Sequence, residues 1–306
     1  MTALFALICA FGLIQIFWLG VSLRTVAVWP MFGLVVAGIV ALAREGARNV
    51  LGDLASVRRA TNMSVGSAAP AINRDLLRSL PPDYRTPMGA AVFFPGSDFA
   101  ASIRNLASAL ASSQVVAFLG TGPRDGATST ASATAALASQ QGRRTLLVDC
   151  DVRRRGLTHM LDLEPAAGFL EAVKRPETWS QLIVSEPETG IEILPAARLN
   201  SLWAGALEPG ALSRLIGALR GTYDLIVLDC PPSALNADGA MIGRLSDLCV
   251  LVAAWDETPS PLIRQTLRRF RGHAAGRLAL HVNRAPRDFI EDIADIEDAE
   301  PAANGL

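Results

Sequence analysis

The chain has almost no lysine. Lys174 is the single one among 28 basic residues in 306, and the rest are arginine. Any site elsewhere in the chain must therefore draw its positive charge from guanidinium groups. Paired cysteines are also lacking. Cys9, Cys150, Cys230 and Cys249 are scattered and no two form a CxxC pair, so they read as small buried hydrophobes of a reducing compartment. Excess charge is absent too: the net charge is −1, which gives no footprint for nucleic acid. No internal repeat is present. The length allows one α/β domain plus additional segments.

Charge is most conspicuously missing from residues 2–43, where Arg24 is the only charged side chain. Mean hydropathy of the whole chain is +0.31, and the excess is concentrated here. Residues 2–21 and 26–43 are each long enough, at about 1.5 Å rise per residue, to cross a hydrocarbon core of about 30 Å. Ser22 to Thr25 would form the turn, with Trp18 and Trp29 near the interface. Arg44, Arg48, Arg58 and Arg59 follow the second stretch, so the positive-inside rule predicts a helical hairpin with both ends in the cytoplasm. The basic start and short apolar core of a signal peptide are missing. The organisation expected is two transmembrane helices over 1–44, a juxtamembrane segment and linker over 45–96, an α/β domain over 97–290 and an acidic tail over 291–306. Met63 to Pro70 has linker composition. Phe99 to Leu110 has helical spacing and should pack on the domain.

Residues 122–129 read Gly-Pro-Arg-Asp-Gly-Ala-Thr-Ser. A phosphate-cradling loop has the pattern G-x-x-x-x-G-K-[ST] between a strand and a helix. Gly122 and Gly126 keep the spacing, Thr128 keeps the hydroxyl, and Ala127 stands where lysine belongs. The context is right. Gln114 to Leu119 is a short apolar run, as in a buried parallel strand. Ala127 to Gln141 contains no glycine or proline and stops at Gly142.

Three later segments repeat a strand with a polar tip: Thr145–Val148 before Asp149, Cys150 and Asp151; Asp224–Leu228 before Asp229; and Arg277–Val282 before Asn283 and Arg284. Leu248–Ala253 is one more strand. Gly210–Arg220 and Pro261–Arg271 are helical. The pattern predicts a doubly wound, mostly parallel sheet with ligands at the carboxyl ends of its strands. Magnesium takes hard oxygen ligands, commonly one or two protein groups plus water and phosphate. Asp229, Thr128 and one of Asp149 and Asp151 are candidates to hold such an ion or its waters.

In this order the segments resemble the bacterial tyrosine kinases of capsule and exopolysaccharide synthesis, within the P-loop ATPases that include cell-division-site and plasmid-partitioning proteins. The first motif of that family, P-G-E-G-K-S-T, is similar to Pro123-Arg-Asp-Gly-Ala-Thr-Ser129. Its V-L-L-I-D-A-D-x-R-R-P is similar to Thr145-Leu-Leu-Val-Asp-Cys-Asp-Val-Arg-Arg-Arg155, and its Y-D-x-I-I-I-D-x-P-P to Tyr223-Asp-Leu-Ile-Val-Leu-Asp-Cys-Pro-Pro232. Ile191–Ala196 is similar to its G-L-x-V-L-P-A segment. The likeness runs from about residue 97 to 285. It implies a P-loop NTPase-like α/β fold, ATP or ADP with Mg2+, and an inner-membrane location with the domain in the cytoplasm. It implies nucleotide contacts from Gly122, Arg124, Asp125, Gly126, Ala127, Thr128 and Ser129, with Asn283 and Arg284 at the adenine. Asp149, Asp151 and Asp229 are the implied catalytic carboxylates, and Thr128, Asp149 and Asp229 the implied metal set.

The departures are as informative. Ala127 replaces the phosphate-binding lysine, and Arg124 replaces a loop glycine. The tail from Pro286 has no tyrosine, although the family carries a phosphorylated cluster there; the only tyrosines are Tyr84 and Tyr223. The family's E-x-x-R-x-x-R ring-assembly helix becomes Asp98, Ala101 and Arg104. The two apolar stretches lie side by side, so a chain-length determinant of the polysaccharide would be a separate protein partner. Three readings follow: a pseudokinase scaffold or regulator, self-associating or not, with nucleotide binding weakened or lost; an active autokinase or ATPase using arginine for lysine; and a positioning ATPase of the partitioning type, which two covalent spans argue against.

Overall fold

The computed structural model describes residues 33–38, 50–52, 56–57, 61, 65–198, 207–234, 237–270 and 277–299. The chain divides into two units, 1–49 and 50–306. Of the expected membrane hairpin only 33–38 is described, and it is helical; the remainder lies outside the described residues. Among the described residues, no helix is long and apolar enough to cross a membrane.

The second unit is built on one sheet of eight strands. In chain order they are β1 (Ser67–Ala69), β2 (Val115–Gly120), β3 (Thr145–Asp149), β4 (Val184–Ser185), β5 (Glu192–Leu194), β6 (Leu225–Cys230), β7 (Leu248–Ala254) and β8 (Arg277–Asn283). Their order across the sheet is β1-β8-β7-β2-β6-β3-β5-β4. Every pairing is parallel except that of β4 with β5. All residues of β2, β6 and β7 are buried, which accounts for their unbroken apolar runs: a parallel strand covered on both faces has no side to alternate.

The helices are α1 (Arg74–Ser79), α2 (Pro87–Phe93), α3 (Asp98–Ala109), α4 (Ala127–Gln140), α5 (Gly156–Met160), α6 (Phe169–Lys174), α7 (Pro209–Arg220), α8 (Ala237–Gly243), α9 (Ser260–Phe270) and α10 (Arg287–Ala299). One face of the sheet packs Leu119, Leu228 and Leu251 against Phe169, Leu215, Ile263 and Phe289. The other packs Phe118, Val227 and Val250 against Met88, Leu106 and Ala135. The central helix α4 is buried continuously from Thr130 to Ala138. That explains its composition: alanine and small hydroxyl residues let a helix lie close to the sheet while α2 and α3 cover its outer side.

Two expectations need correction. Residues 63–70, read as linker, contain β1, which pairs Ser67, Ala68 and Ala69 with His281, Val282 and Asn283. Residues before 97 belong to the folded unit as well: Met88, Ala90 and Ala91 of α2 are buried. Small residues mislead here, because Ser-Ala-Ala suits a flexible linker and an edge strand beneath a closely packed helix equally well. The ring-assembly positions on α3 are engaged within the chain: Asp98 pairs with Arg287 at 2.6 Å, and Arg104 Nη1 donates to the Pro95 carbonyl at 2.7 Å.

Candidate functional site

β2 ends at the middle of the sheet, where the chain turns to one side for β3 and to the other for β7 and β8. Such switch points leave a crevice at the carboxyl ends of the strands. A cleft of about 340 Å³ lies there, at the N-terminus of the 14-residue α4. Its free backbone N–H groups and helix dipole favour an anion.

The loop from Thr121 to Gly126 is held from inside. The Asp125 carboxylate folds back under it. Oδ2 accepts from Gly122 N at 2.6 Å and from the Thr121 hydroxyl, and Oδ1 accepts from Thr258 Oγ1 at 2.9 Å. Burial raises its pKa while these donors pull it down. The Asp125 side chain thus frames the loop, while the residue still lines the cleft. Gly126 has φ +97°, and a Cβ there would overlap Asn283 Nδ2, so only glycine fits.

β8 grips the same loop. Asn283 Nδ2 donates to the Asp125 carbonyl at 3.0 Å, and its Oδ1 accepts from Arg284 N at 2.9 Å. Each end of the amide makes one hydrogen bond within the chain. Arg284 makes a forked pair with Glu257, at 3.0 and 2.8 Å, and donates from Nη1 to the Arg124 carbonyl at 3.1 Å. Arg124 has φ +71°, which agrees with its standing where the family carries glycine. The side chains of Arg124, Ala127, Thr128 and Ser129 line the cleft.

The three carboxylates have different surroundings. Asp149 is fully buried; Oδ2 accepts from Thr158 N at 2.9 Å and Thr158 Oγ1 at 2.7 Å, and Oδ1 from Asp151 N at 3.1 Å. It caps the first turn of α5, with both oxygens accepting hydrogen bonds within the chain. Burial pushes its pKa up to about 6 against those hydrogen bonds. Asp229 is also buried. Oδ1 accepts from Thr128 Oγ1 at 3.2 Å, but Oδ2 has no hydrogen-bond partner. Burial first, and then the charge of Asp149 directly across the strands, raises its pKa well above the carboxylate range. Asp151 lines the cleft and accepts from Arg154 N at 3.1 Å.

A buried carboxylate oxygen without a partner is costly, and here it lies beside a hydroxyl at the foot of an anion-binding helix. Thr128 Oγ1 and Asp229 supply the hard oxygens that suit magnesium carried on a phosphate. Among the described residues no three His, Cys, Asp or Glu side chains converge as a cage, so an ion here needs phosphate and water to complete its shell.

Several of these partners were invisible in the sequence. Thr158, Thr258 and Glu257 sit in stretches with no motif, and only their contact in space with Asp149, Asp125 and Arg284 gives them meaning. Cys150, Cys230 and Cys249 are buried and free, as expected. Cys150 and Cys230 are brought side by side at the tips of β3 and β6, where Cys150 N donates to the Asp229 carbonyl at 2.9 Å.

Comparison with known proteins places this geometry. No family model matches the chain. The succinoglycan biosynthesis transport protein ExoP of Rhizobium meliloti (strain 1021) is 30% identical over 219 residues, 67% of this chain and 27% of ExoP. The tyrosine-protein kinase YwqD of Bacillus subtilis (strain 168) is 27% identical over 144 residues, 44% of this chain and 57% of YwqD. The chain belongs to the bacterial tyrosine kinase and exopolysaccharide P-loop ATPase family. Solved structures share its fold. The BceF tyrosine kinase domain aligns with a TM-score of 0.64 at 21% identity, over 78% of this chain and 100% of that one. The kinase domain of Escherichia coli tyrosine kinase ETK aligns at 0.61 and 18%, over 72% and 90%. The chain thus spans well under two thirds of the length of both sequence relatives. At the position where the P-loop pattern carries lysine, this chain has the methyl group of Ala127.

Proposed function

We propose that the chain is a membrane-anchored pseudokinase of exopolysaccharide synthesis and export, which serves as a scaffold or regulator for a separate chain-length or polymerisation partner. Ala127 carries this reading: it lines the cleft between Gly126 and Thr128, where an ammonium group would meet the phosphates. A unit charge at about 4 Å and an effective dielectric near 20 contributes about 4 kcal/mol. Losing it from a transition state slows transfer about a thousandfold. Phosphoryl transfer depends mainly on such positioning and charge.

The acceptors point the same way. Tyr223 is buried, edge-on to Trp179 at 5.7 Å between ring centres, and burial and Glu192 raise its pKa. Tyr84 is the remaining tyrosine. The hairpin over 1–44 is the proposed anchor, in a bacterial inner membrane with the domain over 97–290, and the segments that pack on it, in the cytoplasm. The tail over 291–306 has no tyrosine to offer a neighbouring copy in a homo-oligomer. Nucleic acid is not a partner in this reading. ATP or ADP with Mg2+ remains the proposed ligand, more weakly held than with lysine. Thr128 and Asp229 would hold the ion, and Asp151 its waters. Bound magnesium would neutralise phosphate charge; the chain's own part is to orient the phosphates on α4 and to exclude water from Asp229.

The test is phosphate transfer by the full chain, purified in detergent, from labelled Mg·ATP. Expected are no phosphotyrosine and hydrolysis at the level of Asp229→Ala, with hydrolysis rising about a hundredfold or more in Ala127→Lys. Labelling of Tyr84 by wild type, abolished in Asp229→Ala, would overturn the pseudokinase reading.

A further inference from the structure

Arg124, Arg154 and Arg284 line the cleft with Ala127, Arg155 follows Arg154 in the chain, and the structure separates the four. Arg155 is buried with Nε donating to the Ala196 carbonyl at 2.8 Å. Arg284 is committed to Glu257 and the Arg124 carbonyl. Arg124 is in the cleft, on the loop whose backbone Arg284 holds from β8. Arg154 is also in the cleft, on the opposite wall.

The turn that carries Arg154 is fixed and close. Arg154 N donates to Asp151 Oδ1, while Asp151 N is bonded to Asp149 Oδ1 at 3.1 Å. Two residues on, a Cβ at Gly156 would lie only 3.5 Å from Thr128 Oγ1. The β3–α5 turn therefore rests against the first turn of α4, at the end of the cleft marked by Thr128 and Asp229. The Arg154 side chain is exposed. Its charge faces the cleft, with Asp151 as its attracting neighbour.

We propose that Arg154 supplies, from across the cleft, the phosphate-binding cation that Ala127 lacks. The inference rests on the nucleotide-binding part of the proposed function and names the residue that sustains it. A guanidinium presents a planar fork that matches two phosphate oxygens. The small side chain at 127 leaves room for it. Because the charge comes from the opposite wall, it holds the phosphates without reproducing the geometry of a lysine on the helix. Binding is preserved and transfer is not.

The experiment is calorimetric titration of the full chain, purified in detergent, with Mg·ATP. Thermal melting serves as the check that each variant is folded. Wild type binds; Arg154→Ala weakens binding about tenfold or more; Arg154→Lys keeps part of it. Arg153→Ala, one residue away in the same turn but outside the cleft, stays within about twofold. Adding Ala127→Lys to Arg154→Ala restores binding by a larger factor than Ala127→Lys achieves alone, since the two cations serve one site. If wild type and Arg154→Ala bind equally, the inference fails and the nucleotide reading stands. If wild type does not bind while Ala127→Lys does, Arg154 is no substitute and the inference fails. If neither binds, the nucleotide reading itself fails.

Discussion

Asp229 places a carboxyl group with one unpartnered oxygen in the middle of the molecule, and replacing it by asparagine should strengthen the fold wherever the carboxyl would ionise. Asp149 and Asp229 sit opposite each other on neighbouring parallel strands, about 4.8 Å apart along the hydrogen-bonding direction. Two carboxylates about 5 Å apart at an effective dielectric near 20 repel by about 3 kcal/mol. Both groups have folded-state pKa values raised above those of the unfolded chain, Asp149 to about 6 and Asp229 in the same direction, through burial and the charge of Asp149. For such groups the favourable contribution is complete below the unfolded value and is lost as pH rises through the folded one. The ligand-free protein should therefore lose stability as pH rises from about 4 through about 6, where Asp149 ionises, and further as Asp229 ionises. Asparagine at 229 keeps an oxygen for Thr128 Oγ1, puts an amide where Oδ2 had no partner, and carries no charge. Asp229→Asn should gain about 2–3 kcal/mol at the alkaline end of the range, where both carboxylates are ionised, and little at pH 5. For a domain of this size that corresponds to about 4–12 °C in Tm. The assay is thermal melting of the full chain in chelator across this pH range. A variant less stable than wild type at pH 8, or one with an unchanged pH slope, would refute the reasoning.

Two further outcomes follow from the loop. Asp125→Ala strips the acceptor from Thr121, Gly122 and Thr258 and should cost about 3 kcal/mol or more, read as a fall in Tm. Gly126→Ala forces a left-handed residue and a collision with Asn283; it should cost at least about 2 kcal/mol. Adding Asn283→Ala should return part of that loss by removing the collision, which a melt of the double variant will show.

Much of the fold was legible because its central strands are covered on both faces. Runs such as Leu248–Ala253 cannot alternate and so announce a parallel sheet, and the glycines and Thr128 after β2 fix the loop's place in it. β1 was illegible for a physical reason: its three small residues earn their position from pairing with β8 and from the helix above, not from any periodicity of their own. The site was readable as a list of residues and less so as roles. A carboxylate in a motif looks like a ligand until its donors are seen. Asp149 finds Thr158 nine residues on, and Asp125 finds Thr258 after a separate strand. Nothing in their spacing signals either partnership.

The tie between Gly126 and Asn283 bears on how such motifs age. A glycine whose Cβ would strike a neighbouring amide is retained by steric necessity, whether or not phosphate ever arrives. The same holds for Asp125, which closes the loop, and for Asp149, which caps a helix. Much of the signature would thus outlive its chemistry as a mould outlives its casting. The positions free to drift are those the fold does not need, the second oxygen of Asp229 and the guanidinium of Arg154. Across relatives that also lack the lysine, covariation between residue 127 and residue 154 is where a surviving ligand would leave its mark.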